Sequence, residues 1–339
     1  MLIESINLRE FRGILRCEKS LNLSDFTVLV GRNNSGKSSI LEALALFPKP
    51  EYQVPYSGQS RLEFVASLHA GRSSLVYGYS GYASVEYMVD GKRWNLQFDE
   101  SGRTTEFAIE NYDSQTLQTD PFSCIGRELR DRLAQTRPPS VGEKISRMVF
   151  FIPNDTSFMN ELARLTGEEK SRDMITKGGA HARIAKELIN KCVDDKYTEI
   201  LPFSPQLRVR KERVDGQPLY INVKDLGDGV EKVAIATLWL DAIDPFLVLW
   251  DDFEGSAHPT LIRELLRWLS NKKWQVILST HSIDVLSSLT EVGPKEARVI
   301  QLKKTNEDIL YHEILTIDEL EDILDSSQDP RMIVDSLKL

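Results

Sequence analysis

FTVLVGRNNSGKSSILEALAL, residues 26–46, is the stretch whose reading decides the fold. Residues 26–30 are almost unbroken apolar text, the signature of a strand buried on both faces. Residues 38–46 follow with Ile40, Leu41, Leu44 and Ala45 at helical spacing, and Pro48 and Pro50 close that helix. Between the two, Gly31-Arg32-Asn33-Asn34-Ser35-Gly36-Lys37-Ser38 fills the pattern G-x-x-x-x-G-K-S/T without a gap. Strand before and helix after is the context that separates a phosphate-binding loop from an ordinary glycine-rich turn. Its glycines let successive backbone N–H groups wrap phosphate oxygens, and the helix N-terminus adds partial positive charge. Lys37 would then reach the β- and γ-phosphates of a nucleoside triphosphate, with the Ser38 hydroxyl a ligand for Mg²⁺.

Working outward, residues 246–250 form a second apolar strand that delivers Asp251 and Asp252 at its carboxyl end. Ligands of open α/β sheets collect at that end, so Asp251 is placed to hold Mg²⁺. Alone, an apolar run ending in two aspartates is equally a solvated strand end; behind a phosphate loop it is a metal site. A third apolar strand, residues 274–279, leads to Thr280-His281-Ser282. His281 could sense a γ-phosphate or polarise water there, or be a plain loop histidine. Leu226-Gly227-Asp228-Gly229 precedes a helix over residues 230–242 and reads either as an anion cradle or as a loop.

The remaining elements are consistent with an α/β core. Residues 2–8 read as a strand and 9–25 as a hairpin; residues 84–88, 94–98 and 105–109 form a β-meander turned by Asp90-Gly91 and Ser101-Gly102. Helical stretches are predicted over 124–135, 156–164, 180–194 and 261–269, with a short buried strand over 147–152 and a hairpin around Asp215-Gly216. A strand or two and an acidic helix follow Ala297. Hydrophobic residues make up 41% of the 339, enough for a sizeable core. Cys17, Cys124 and Cys192 form no metal or disulfide spacing, which fits a reducing compartment. The text MLIESINLREFRG lacks a signal-peptide core, and no window is apolar enough to span a membrane. A cytoplasmic location is the expectation.

In order, the phosphate loop, Leu226-Gly227-Asp228-Gly229, the strand ending in Asp251-Asp252 and the strand ending before His281 resemble the ABC-type ATPase heads of the RecF, SMC and OLD group. The opening Asn7-Leu8-Arg9-Glu10-Phe11-Arg12-Gly13 is similar to that group's start. WDDFEGSAHP, residues 250–259, is similar to its D-E-P-E-x-x-L-H-P. The resemblance covers residues 1–47 and 219–285. It is closest to the compact OLD-like and RecF-like members, because residues 155–200 leave room only for a stubby helical pair and not for a heptad rod.

The resemblance implies an α/β P-loop fold: a mixed central sheet, an N-terminal antiparallel β lobe and a short helical insertion. One head would span 1–339, divided into 1–152, 153–205 and 206–339. ATP and Mg²⁺ would be its cofactors. Gly31, Arg32, Asn33, Asn34, Ser35, Gly36, Lys37, Ser38, Ser39 and Arg12 would bind nucleotide, Ser38 and Asp251 the metal, and Asp252, His281 and Glu254 would serve catalysis. Gly227, Asp228 and Gly229 would cap the ATP held by a second subunit, giving a homodimer with two composite sites and an ATP-gated clamp or switch. DNA or a separate nuclease subunit are the partners it implies, in DNA repair, maintenance or anti-phage defence.

Three departures qualify that expectation. The group's signature serine falls on Gly227, its catalytic glutamate falls on Asp252, and no residue matches its Q-loop glutamine, though Gln59 lies in about the right stretch. Slow turnover is expected, because a carboxylate one methylene shorter must still come within hydrogen-bond reach of the attacking water. A nucleotide sensor with little hydrolysis is the alternative, and a transporter subunit a weaker one. Little chain follows His281, so an acidic nuclease domain is not expected. Glu319, Glu321, Asp322 and Asp325 read as a solvated or partner-facing helix. Net charge is −9, so any DNA contact must come from a local patch such as Arg208, Arg210, Lys211 and Arg213, or Arg127, Arg130, Arg132 and Arg137. The bland reading of both is an exposed charged face.

Overall fold

The computed structural model describes residues 1–112, 145–203, 206–255 and 257–333. The strands that read as unbroken apolar runs are buried along their whole length: β4 (Phe26–Gly31), β8 (Val149–Ile152), β12 (Leu247–Trp250) and β13 (Gln275–Ser279). They lie side by side and parallel in the order β4-β13-β12-β8. Parallel strands need cover on both faces, and these sequences have no polar face to offer water. On the other flank of β4, β14 (Ala297–Lys304) continues the parallel set and then turns antiparallel into β15 (Ile309–Thr316).

Beyond β15 the same sheet becomes the N-terminal lobe. β2 (Ile14–Cys17) pairs with β15, β1 (Ser5–Phe11) with β2, and β3 (Leu21–Asn22) adds a short arm to β1. β5 (Tyr82–Val89), β6 (Lys92–Asp99) and β7 (Thr104–Ile109) complete it as the meander expected from the sequence. In β5 and β6 every second residue is buried, the period-two pattern of a sheet with one face on the core. Among the described residues twelve strands thus form one mixed sheet, antiparallel at one end and parallel at the other.

Two helices flank the N-terminal part: α1 (Lys37–Ala45), straight out of the phosphate loop, and α2 (Arg61–Ser67), capped by Ser60. Arg61 is buried and donates to the carbonyls of Ala45, Ile145 and Ser146, fastening the end of α1 to the chain that enters β8. Burial depresses its pKa to about 10.

The insertion contains α3 (Thr156–Thr166), α4 (Glu169–Lys177) and α5 (Ala180–Ile184), the last running on through 185–192. It is less purely helical than its sequence suggests. β9 (Glu199–Phe203), inside the stretch expected to be helical, opens a three-stranded antiparallel sheet with β10 (Gln206–Glu212) and β11 (Pro218–Asn222). Its apolar text is too short to show a period; it is a strand because Ile200 pairs with Val209.

α6 (Asp228–Ile243) runs through the middle of the C-terminal lobe, with every residue from Val233 to Leu240 buried. A helix apolar all round belongs inside. The Trp239 indole donates to Thr166 of α3 at 2.7 Å. α7 (Pro259–Ser270) starts with Pro259 in its first turn and a His258 cap. α8 (Ile283–Val292) and α9 (Ile317–Asp325) finish the described set of long helices. The helix expected at 124–135, Cys124 and the arginines at 127, 130, 132 and 137 lie outside the described residues.

Candidate functional site

Strand register brings the motifs to one rim. Trp250 is level with Leu278 on one side and Ile152 on the other, and Leu278 is level with Val28. The loops leaving β4, β13, β12 and β8 therefore meet around a cleft of about 230 Å³. Arg12, Asn33, Asn34, Ser35, Gly36, Lys37, Ser38, Ser39, Asn154, Asp251, Asp252, Ser279 and His281 line it. Nearly every residue singled out by sequence for the near side of the site is in that set.

The phosphate loop has the geometry its glycines permit. Gly31 has φ 154°, and a Cβ there would sit 2.5 Å from the Leu302 carbonyl oxygen, so no other residue fits. Asn34 takes the left-handed conformation at φ 63°, which asparagine tolerates. Lys37 reaches back across the loop, its Nζ donating to the carbonyls of Gly31 at 2.9 Å and Arg32 at 3.1 Å. Burial lowers its pKa, while the charges of Asp251, Asp252 and Glu254 raise it. The Ser35 hydroxyl is buried without a hydrogen-bond partner, and α1 begins at Gly36 with no side-chain cap. A cradle of unspent donors beside a lysine is what a polyphosphate needs, so the residues present fit one. Arg32 itself is exposed and contributes its carbonyl.

The carboxylates divide the work. Asp251 accepts a hydrogen bond from the Ser279 hydroxyl, whose oxygen accepts from the Asp252 N–H at 2.9 Å. Asp252 has φ 50°, a strained conformation for a non-glycine residue, and faces the cleft. Desolvation raises its pKa, as does the neighbouring Glu254, against the opposing charges of His281 and Lys232. Glu254 is turned elsewhere: one oxygen accepts from Thr280 Oγ1 at 2.8 Å, the other from the His281 N–H at 2.7 Å. Glu254 thus braces the loop carrying His281 and does not line the cleft.

Asn154 and Ser279 line the cleft and were missed by sequence reading. Asn154 follows β8 directly, and its Nδ2 donates to Asp252 Oδ2 at 2.8 Å. Gln59 is exposed in the turn before α2 and takes no part in the cleft. The sequence offered for Asn154 only a strand ending at Pro153; that this strand lies beside the strand of Asp251 is set by sheet order. Also missed were the partners of Arg12, which stands at φ 53° at the end of β1. Its guanidinium donates to the buried carboxylate of Glu42 at 2.6 Å and lies 3.4 Å from His69 Nδ1; His69 Nε2 is 3.0 Å from the same carboxylate.

Gly227, Asp228 and Gly229 do not line this cleft. Gly227 and Asp228 are exposed at the N-terminal end of α6, and Gly227 has φ 109° with open space where a side chain would go. The basic hairpin is largely neutralised from within: Arg210 lies beside Glu199 and Glu212, Lys211 beside Asp195, and Arg213 beside Asp215. On α9, Glu319 closes a capping box with Thr316. Among the described residues no cluster of three or more His, Cys, Asp or Glu could hold a metal alone. Nor, among them, is any helix long and apolar enough to cross a membrane.

Comparison with known proteins bears on this arrangement. The model of a family described as "AAA domain, putative AbiEii toxin, Type IV TA system" matches residues 26–288. The Uncharacterized protein MJECL10 of Methanocaldococcus jannaschii is 54% identical over 46 residues, 14% of this chain, and that match spans 20% of MJECL10's own length. Among solved structures, the Smc head domain of Pyrococcus furiosus, with an extended coiled coil and bound to the C-terminal domain of ScpA, superposes with a TM-score of 0.58. It is 12% identical, over 96% of this chain and 99% of that one. The Smc head domain of Pyrococcus yayanosii, with a coiled coil and joint, gives 0.54 at 12% identity over 96% and 99%. At such identity the likeness is one of fold.

Proposed function

The chain belongs to that AAA-domain family and shares the fold of Smc head domains, and from this premise we propose that it is an ABC-type ATPase of the RecF and SMC group, working as an ATP-gated dimeric switch that hydrolyses ATP slowly. One observation carries the reading: a phosphate loop, two carboxylates and a histidine from three adjacent parallel strands line a single cleft. The loop N–H groups and Lys37 would hold the β- and γ-phosphates. Ser38 and Asp251 would hold Mg²⁺, which when bound neutralises charge developing on the phosphate oxygens. Asp252 would take the proton of the attacking water, with its carboxylate aimed by Asn154, and His281 would face the γ-phosphate. Arg12, fixed by Glu42, would add a further positive charge to the nucleotide. The N-terminal end of α6, where Gly227 and Asp228 are exposed and do not line the cleft, suits the triphosphate on a second copy.

A protein partner is part of the proposal. The Smc head of Pyrococcus furiosus is bound to the C-terminal domain of ScpA, and a docked effector, a nuclease for instance, would read the nucleotide state here. DNA is the less favoured ligand because the hairpin's cations already face carboxylates. DNA repair, maintenance and anti-phage defence all accommodate such a switch. Asp252's engagement with Asn154 favours one second reading, a nucleotide sensor with little turnover.

The test is ATP turnover with Mg²⁺ at increasing protein concentration, with Lys37→Ala as the blank. Specific activity that rises with concentration supports composite sites formed by dimerisation. Blank-level activity despite tight nucleotide binding replaces the switch with the sensor.

A further inference from the structure

α6 exposes its N-terminus to solvent and carries Lys232 one turn further in. This side chain turns toward the loop that follows β12 on its own chain. A Cβ placed on Gly255 would lie 2.5 Å from Lys232 Nζ and 3.8 Å from its Cε, so the ammonium rests directly against the backbone of residue 255. Asp251, Asp252 and Glu254 crowd three negative charges onto the end of one strand, and such a cluster needs counter-charge to stay ionised. Two lysines supply it. Lys37 does so from the phosphate loop and Lys232 from α6. Burial depresses the Lys232 ammonium, and Asp252, Glu254 and Asp251 oppose that in this order.

The two lysines differ in what they are attached to. Lys37 belongs to the site it serves. Lys232 belongs to a helix whose exposed first residues do not line that cleft, and which is buried along Val233 to Leu240. A helix so held moves as a rod. Whatever presses on its first turn is passed to the loop of Asp252 through a single ammonium.

We propose that Lys232 is a positioning residue that couples the two nucleotide sites of the dimer, by tying the triphosphate-facing end of α6 to the Asp252–Gly255 loop of the same chain. The coupling rests on the dimeric reading above. A triphosphate docked on α6 from one subunit would thereby fix the carboxylate geometry around the other subunit's own nucleotide, and the reverse.

The experiment compares wild type, Lys232→Met, Lys232→Arg and Gly255→Ala. It records ATP-induced dimerisation by light scattering, affinity for a fluorescent ATP analogue, and kcat, KM and Hill coefficient. Lys232→Met is expected to bind nucleotide and dimerise within about twofold of wild type, with kcat down about tenfold and the Hill coefficient falling to one. Arginine at 232 should restore most of kcat. Gly255→Ala keeps the charge but displaces it, and should cost about threefold in kcat at unchanged KM. If wild type dimerises and Lys232→Met keeps its kcat and Hill coefficient, the coupling is wrong and the dimer stands. If Lys232→Met loses nucleotide binding altogether, Gly255→Ala decides, and an unchanged kcat there overturns the proposal. A wild type that stays monomeric with ATP removes the dimer, and the coupling goes with it.

Discussion

Gly227, onto which the resemblance places the group's signature serine, has φ 109°. L-residues rarely adopt that backbone, at about 1–3 kcal/mol of strain. Restoring the group's residue is therefore expected to harm: Gly227→Ser should reduce ATP-induced dimerisation, measured by light scattering, despite the open space around Gly227. Glu42 is the other residue that acts through its neighbours. It is buried behind the phosphate loop with both oxygens engaged, by Arg12 and His69. Glu42→Gln removes the charge that aims Arg12, so KM for ATP should rise several-fold with kcat changed less; steady-state kinetics separates the two. The motif at residues 7–13 pointed to Arg12, but nothing in a single sequence pairs residue 12 with 42 and 69, because that contact depends on how α1 lies against β1.

Among the elements, α1 depends on a residue from outside itself. Arg61 takes up the carbonyls of Ala45, Ile145 and Ser146 from a buried position. Arg61→Met would leave those oxygens unpaired in the interior, at about 3 kcal/mol or more, read as a lower urea midpoint. β15 carries a different liability. His312 is buried with Nδ1 unpartnered, and burial, aided by the charge of Lys19, depresses its pKa to about 4. The unfolded chain takes up that proton below its ordinary value near 6.5 while the folded chain stays neutral. Stability should fall as pH drops from about 6.5 toward 4, and His312→Gln should flatten that part of the thermal-unfolding profile. Strands with an unbroken apolar run or a clear alternation, such as β4, β5 and β12, were legible in sequence. β9 and α8 were not: the first is made by pairing to β10, the second by a Ser282 cap on ten residues of weak period. Asn154 escaped for the same reason, since its role comes from β8 lying next to β12.

For the whole molecule, the decisive prediction concerns assembly. Asp252→Asn should bind ATP-Mg yet lower kcat at least a hundredfold, and so accumulate as a dimer whose mass doubles in light scattering; Lys37→Ala should stay monomeric under the same conditions. The parallel strands around the cleft have a further consequence. Phe26 pairs with Val276 and Val149 with Leu247, segments drawn from distant parts of the chain. A polypeptide emerging from the ribosome displays its complete phosphate loop early, yet it has no cleft until β13 has been made and slotted between β4 and β12. Nucleotide binding therefore certifies that the chain has been made and folded past β13: products truncated before it carry the motif without the affinity, and recovery of ATP binding on refolding should follow the slowest phase.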